Sequence, residues 1–246
     1  MDRLRRVIPA PRMRPYVDAC AGTPTDPVTL YRWNAQLSLA LFDDLGTVEV
    51  AMRSAMADSL SHKYGLHWYR NTALLDDESL NLVQKAWSQG RLGSLSVGPD
   101  VIHGKLVATL MFGFWVKILG RGGYQGTGNA RQRRIYDTLL WKPALHNAFP
   151  QVHVTERARV ERAARNVQVI RNRIAHHEHI IWGVPLPGQL TAQGTPSRIP
   201  VRDAHATVLE LAGYLDSDLR DWLNETSQVP PVLAACPLPQ GNPLNI

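Results

Sequence analysis

The chain has 246 residues and a formal net charge of +6 at pH 7, with 44% hydrophobic and 20% charged residues. This composition is typical of a globular protein with a sizeable core, and no stretch approaches the roughly 18 consecutive apolar residues of a membrane span. Basic proteins attract polyanions, so nucleic acid is the leading class of partner on charge alone. We therefore expect a soluble protein without a membrane partner.

Both ends of the chain are rich in proline. Pro9 and Pro11 stand where a signal peptide would place its apolar stretch, which favours a cytoplasmic location. Proline lacks a backbone donor and breaks helices. We therefore predict an irregular N-terminal arm over residues 1–28 and an irregular tail over residues 225–246.

Between these ends the apolar residues recur with helical spacing. A single all-α domain is therefore expected over residues 29–224, with six or seven helices and no strand. In chain order, the predicted helices cover residues 30–41 after a candidate N-cap at Thr29, residues 47–64, 77–89, 103–119, 131–140 with a continuation to 148, 155–182 and 203–223.

The two expected connections of note are the glycine-rich segment 120–129, GRGGYQGTGN, and the Pro/Gly-rich segment 183–200. Glycine adds backbone freedom, so the first is predicted to be a mobile loop and the second a long loop. The predicted helix over residues 103–119 is the most apolar and should be buried at the centre. The large aromatic residues Trp33, Trp68, Trp115 and Trp141 are expected in the core.

The segment 165–182, RNVQVIRNRIAHHEHIIW, carries the residues best suited to chemistry. Cleavage of RNA through its 2′-hydroxyl needs proton transfer, and histidine suits this because its ordinary pKa is about 6.5. The planar guanidinium of arginine binds phosphate through two parallel hydrogen bonds. His176 is therefore a candidate general acid or base, and Arg171 a candidate phosphate ligand. Asn172 can orient either group through its amide.

An arginine, a polar residue and a histidine at this spacing near a helix end resemble the R-x(4–6)-H motif of HEPN ribonucleases. The octet RNRIAHHE resembles the Abi-like (abortive infection) family in particular. The segment LGTVEVAMRSAMADSLSHKYGLHWY (residues 45–69) is similar to an early helix of that family, and HGKLVATLMFGFW (residues 103–115) to its central helix. The resemblance covers roughly residues 29–182, while we recognise nothing in residues 183–246.

The resemblance implies an HEPN-type helical bundle that cleaves RNA without a metal or other cofactor, as a toxin or phage-defence effector. It implies catalytic roles for Arg171, Asn172 and His176, a homodimer whose two motifs face one cleft, and an antitoxin of protein or RNA as a further partner. Helix geometry adds a constraint, because residues five apart differ by about 140° in azimuth. Either the helix distorts near Ala175, or a second chain completes the site.

Supporting or RNA-binding roles are expected for six further residues, and each has a structural alternative. Arg171 itself can pair with a buried carboxylate such as Glu49, and Glu49 with Arg53 can be an ordinary helix pair. The histidines of the octet can instead form a metal cluster or complement the helix dipole, although adjacent histidines point about 100° apart. The arginines near the glycine-rich segment can be solvated charges. The six residues are His177, Glu49, Arg53, Arg131, Arg133 and Arg134.

Two other functions remain open on the sequence alone. One is a non-catalytic RNA-binding or dimerisation module with the same fold, which would need no histidine at position 176. The other is a nucleotide-accepting partner of an antitoxin enzyme, which would carry a covalent modification near the octet.

Overall fold

A computed structural model describes residues 6–239 and residue 244 of the chain, and this described part is mostly helical. The expectation of a largely helical protein is therefore confirmed. The helices are α1 (Ala10–Cys20), α2 (Pro27–Tyr64), α3 (Asp77–Gln89), α4 (Pro99–Thr109), α5 (Phe112–Ile118), α6 (Arg157–Ala175), α7 (Ala204–Leu215), α8 (Ser217–Thr226) and α9 (Val229–Ala234).

Two short antiparallel hairpins accompany these helices, so the expectation of no strand was wrong. The first pairs β1 (Tyr124–Gln125) with β2 (Gln132–Arg133), in the segment that was expected to be a loop and a helix start. The second pairs β3 (Val184–Leu190) with β4 (Pro196–Ile199), where a long loop was expected. Each strand of a two-stranded sheet has a free edge, and β3 therefore tolerates its two prolines.

The described residues form two compact units. The first contains the residues up to Gly46, Val169–Glu210 and the chain from Asp221 onward; the second contains Thr47–Gln168 and Leu211–Arg220. The single domain expected over residues 29–224 stays a prediction.

The first unit has an aliphatic core, to which both α2 and α6 contribute. Leu30, Leu37 and Leu41 are fully buried on α2, and Ile170 is fully buried on α6. The indole N–H of Trp33 donates to the carbonyl of Val232 at 2.7 Å, which ties α9 to this core. The C-terminal segment therefore belongs to the folded unit.

The second unit has an aromatic core. Trp68 stacks on Phe114 with ring centroids 6.2 Å apart, and Trp141 packs against Phe149 at 5.9 Å. Such pairs add to the hydrophobic stabilisation of the buried area. The four tryptophans expected in the core are all buried, which confirms that interpretation.

The first two predicted helices form one continuous helix, α2. The carboxylate of Asp26 accepts a hydrogen bond from the Thr29 N–H at 3.3 Å, so Asp26 rather than Thr29 caps the helix. Gly46 does not end it, because Leu45 and Val48 beside it are buried. Their burial outweighs the helix penalty of about 1 kcal/mol for a glycine.

Other helix predictions were also wrong. The expected helix over residues 155–182 is α6, which ends at Ala175. The expected helix over residues 103–119 is a pair, α4 and α5, bent by 92° where Leu110 and Met111 adopt extended backbone. The expected helix over residues 131–148 is replaced by β2, a π-helical turn and a 3-10 turn. Apolar periodicity does not distinguish a bent buried helix from a straight one.

The proline-rich ends are more helical than predicted. Pro11 lies in the first turn of α1, where the missing N–H costs no helical hydrogen bond, and Pro15 is accommodated inside the same helix. The predicted tail likewise contains α9. The expected last helix is divided at Asp216, whose carboxylate accepts from the Leu219 N–H at 2.9 Å and starts α8.

None of the helices in the described part of the chain is long and apolar enough to cross a membrane by itself. Only the bent pair α4 and α5 meets the length and composition test when its two members are taken together.

Candidate functional site

Helix α6 ends in a Schellman cap inside the octet RNRIAHHE. The His177 N–H donates to the Ile174 carbonyl and the Glu178 N–H to the Arg173 carbonyl, both at 2.9 Å, which is the paired pattern of that motif. His177 has φ 55°, in the left-handed region that glycine normally occupies at this position. A side chain there costs about 1 kcal/mol or more.

The helical hydrogen bonding continues up to His176, whose N–H donates to the Asn172 carbonyl at 3.0 Å. The helix is therefore not distorted near Ala175, and the azimuth of about 140° between Arg171 and His176 applies. Asn172 and His176 are exposed, whereas Arg171 is half-buried. Within one chain, the arginine and the histidine leave the helix in different directions.

Arg173 holds the chain that follows the cap. Its Nε donates to the His179 carbonyl at 2.6 Å, and its guanidinium pairs with the Glu178 carboxylate at 2.8 Å. The Arg173 side chain is 15% exposed, so these bonds form in a partly desolvated place where they stabilise more than a surface pair. Sequence reasoning overlooked this residue, although it lies in the middle of the octet.

Residues from the N-terminal part of the chain also hold this segment. The Arg12 guanidinium donates to the His177 carbonyl, and the Trp182 indole donates to the Pro15 carbonyl at 3.1 Å. Buried Asn34 accepts from the Ile180 N–H at 3.0 Å through its side-chain oxygen. We refer to residues 171–182 as the cap segment.

The electrostatics of the cap segment set His179 apart from its neighbours. Burial, with the positive charges of Arg173 and Arg198 next in size, lowers the pKa of His179 to about 4. Its ring lies 6.3 Å from that of Tyr16, whose pKa is raised to about 12 by burial and by Tyr31. His179 is thus neutral near pH 7.

A cavity of about 430 Å³ lies against the cap segment within the first unit. The octet contributes Ile174, Ala175, His177 and Glu178 to its wall. A cleft of this size is large enough for a small ligand or a nucleobase. No signal in the sequence indicated it, because the opposite wall comes from residues more than 130 positions away: Arg12, Tyr16, Tyr31, Asn34, Ala35, Ser38, Leu39 and Phe42.

The other predicted site residues belong to the second unit. Glu49 and Arg53 are half-buried, four residues apart on the second half of α2. Arg131 and Arg133 are exposed on the first hairpin. Arg134 is half-buried there, and its guanidinium donates to the side chains of Gln125 and Gln132.

Over residues 6–239 and 244, no group of three or more His, Cys, Asp or Glu side chains is arranged to hold a metal ion. Comparisons with protein-family models, with curated proteins and with solved structures found no match to this chain.

Proposed function

We propose that this protein is a metal-independent endoribonuclease of the HEPN type, similar to the Abi-like family, that acts as a toxin or phage-defence effector. The observation that carries the proposal is the helix end at which exposed His176 and Asn172 stand beside half-buried Arg171. The end of α6 thus carries both a residue suited to proton transfer and a residue suited to phosphate binding. The mostly helical fold and the net charge of +6 agree with this reading.

The proposed reaction is an attack of the ribose 2′-oxygen on the adjacent phosphorus. The new P–O2′ bond forms as the P–O5′ bond breaks, which leaves a 2′,3′-cyclic phosphate and a 5′-hydroxyl. His176 accepts the 2′-proton or supplies a proton to the departing 5′-oxygen. Arg171 binds the non-bridging oxygens, whose charge grows in the transition state, and Asn172 orients the phosphate through its amide.

The helix geometry favours a composite site, that is, an active site whose residues come from two chains. Because α6 is regular up to His176, one chain directs Arg171 and His176 to different sides. We therefore propose a homodimer in which Arg171 of one protomer acts with His176 of the other. An antitoxin of protein or RNA would act by covering this site.

The composite site can be tested by mixing two inactive variants, Arg171→Ala and His176→Ala. If the site is shared, the mixed dimers regain one complete site, and cleavage recovers to about a quarter of the parental rate. If each chain carries its own site, every site in the mixture lacks one residue and no activity returns. A monomeric mass with full activity would also contradict the dimer.

The catalytic role is tested by His176→Ala, assayed on a single-stranded RNA in the presence of EDTA. Loss of proton transfer should lower the rate by roughly 10²–10⁴-fold, with little change in melting temperature. His62→Ala is the matched control, since His62 is also exposed in the last turn of a helix. Parental cleavage by His176→Ala would favour the non-catalytic binding module instead, and strict dependence on a divalent metal would refute the proposed chemistry.

A further inference from the structure

The first hairpin carries an exposed aromatic ring between two arginines. The Arg131 guanidinium lies 4.0 Å from the centroid of the Tyr124 ring, and that of Arg133 lies 6.0 Å from it. Tyr124 is 47% exposed, so its ring is accessible to a partner. Tyr124 and Arg133 are direct cross-strand partners, and Arg131 is two residues from Arg133, so all three share one face. We call these three residues the Tyr124 platform.

The opposite face of the hairpin is already engaged within the second unit. Gln125 donates from its amide to the Thr72 carbonyl at 2.6 Å and accepts from Arg134. The Gly126 N–H donates to the Asp77 carboxylate at 3.0 Å. One face thus anchors the hairpin while the other presents the platform to solvent.

Two glycines make this anchoring close and specific. A Cβ on Gly122 would lie 2.0 Å from the Arg134 carbonyl oxygen, and a Cβ on Gly123 would lie 2.8 Å from the Asp76 carboxylate. The Arg134 N–H donates to the Gly123 carbonyl at 2.8 Å in the same place. The platform is therefore held by its own unit before any partner arrives, which lowers the entropy cost of binding.

Arg131 and Arg133 take part in no ion pair within the part of the chain that the structure describes. A guanidinium stacked on a tyrosine keeps its outer plane and its N–H groups available. A nucleobase can stack on that outer plane or on the ring, and the N–H groups can bind the neighbouring phosphates. A partner that has only negative charge would make no use of the aromatic ring.

We propose that the Tyr124 platform binds unpaired nucleotides of single-stranded RNA. The proposal rests on the proposed function for the identity of the nucleic acid, and it assigns that substrate to the single-stranded class. Duplexes are disfavoured because their bases are paired and stacked, so only their phosphates can reach the platform. Stacking on a ring depends little on the identity of the base, and binding should tolerate many sequences.

The test measures binding of the full chain to a fluorescent single-stranded DNA oligonucleotide, with a duplex of the same sequence for comparison. DNA has no 2′-hydroxyl and cannot be cut by the proposed reaction, so binding is measured apart from catalysis. Tyr124→Ala should weaken single-strand binding about fivefold or more and leave duplex binding nearly unchanged. Tyr124→Phe keeps the ring and should bind within about twofold of the parent.

The arginines are tested through the salt dependence of the same binding. Arg131→Gln and Arg133→Gln should each reduce the slope of log affinity against log salt by about 0.7, the value for one phosphate contact on a single strand. Arg162→Gln removes the same charge from an exposed position on α6 of the same unit and should leave the slope unchanged.

Two outcomes would overturn the inference. One is parental single-strand binding by Tyr124→Ala, and the other is binding of poly-glutamate as tight as that of an oligonucleotide of equal charge. Because His176→Ala should bind the oligonucleotide like the parent, a protein that binds single strands through Tyr124 but cuts no RNA would refute the nuclease and retain the platform.

Discussion

Gly122 and His177 both adopt left-handed backbone, although they are very different residues. Gly122, which precedes β1, has φ 76°, whereas His177 at the end of α6 has φ 55°. Glycine adopts this conformation without penalty, while a histidine loses about 1 kcal/mol or more. At Gly122 the left-handed backbone conformation favours glycine. At His177 the side chain opposes the backbone preference.

The largest effect on stability is expected at Gly122. Gly122→Ala places a Cβ against the Arg134 carbonyl, so the hairpin must shift, and the free energy of unfolding should fall by about 3 kcal/mol. Gly128→Ala is the matched control, because Gly128 also has positive φ but has no atom within 4 Å of the added Cβ. It should lose only about 1 kcal/mol. Equal losses in urea titrations would show that packing around Gly122 is unimportant.

A smaller effect is expected from the cap segment. Arg173→Met removes the hydrogen bond to the His179 carbonyl and the pair with Glu178, and should lower the free energy of unfolding by about 2 kcal/mol. The control on the same helix is Arg165→Met, which breaks an exposed pair with Glu161 at 2.8 Å and should cost about 0.5 kcal/mol or less. Indistinguishable urea midpoints for the two variants would contradict the role given to Arg173.

Acid should weaken the cap segment through His179. The folded-state pKa of about 4 lies below the ordinary value of 6.5, so the unfolded chain binds more protons between these values. This contribution to stability is complete above pH 6.5 and is lost as the pH falls toward 4. After allowance for solvent screening, the loss is on the order of 1 kcal/mol. His179→Phe keeps a ring beside Tyr16 and should show a flatter stability profile over that range.

The smallest effect on the free energy of unfolding is expected at His177. Variants of this residue distinguish a role in the fold of the turn from a role in RNA cleavage. His177→Gly relieves the left-handed backbone and should raise the free energy of unfolding by about 0.5 kcal/mol. His177→Ala keeps a side chain and should stay near the parent. If the glycine variant is stabilised and RNA cleavage weakens, the ring is retained for function. A destabilised glycine variant would show instead that the ring stabilises the fold.

The sequence predicted best the helix whose two ends have capping residues. Helix α3 begins and ends where it was predicted, because Asp76 caps its N-terminus through the Ser79 N–H at 2.8 Å and Gly90 follows its last residue. No side-chain cap indicates the bend between α4 and α5. Leu110 and Met111 continue the apolar run, and neither is a proline or a glycine.

In the candidate site, too, the sequence indicated some residues and missed others. The octet was found from the sequence because its residues are adjacent, and the structure leaves Asn172 and His176 exposed. The sequence near Arg12 and Asn34 does not indicate their hydrogen bonds to the cap segment, because only the tertiary fold brings these residues to it. Likewise, the glycines near Tyr124 predicted mobility, whereas hydrogen bonds to distant residues fix the hairpin.

Two hydrogen bonds, one from the Arg12 guanidinium to the His177 carbonyl and one from the Trp182 indole to the Pro15 carbonyl, join residues 165 and 167 positions apart in the chain. Contacts of such long range form late, because the loop between the partners must close first. On a ribosome α1 is synthesised before its partners His177 and Trp182 have been made. For a protein proposed to cut cellular RNA, this order means that the N-terminal supports of the cap segment are already made when the cap segment itself is synthesised. An incomplete chain that stops before residue 176 lacks both the proposed catalytic histidine and the residues that bind its own N-terminal helix, His177 and Trp182.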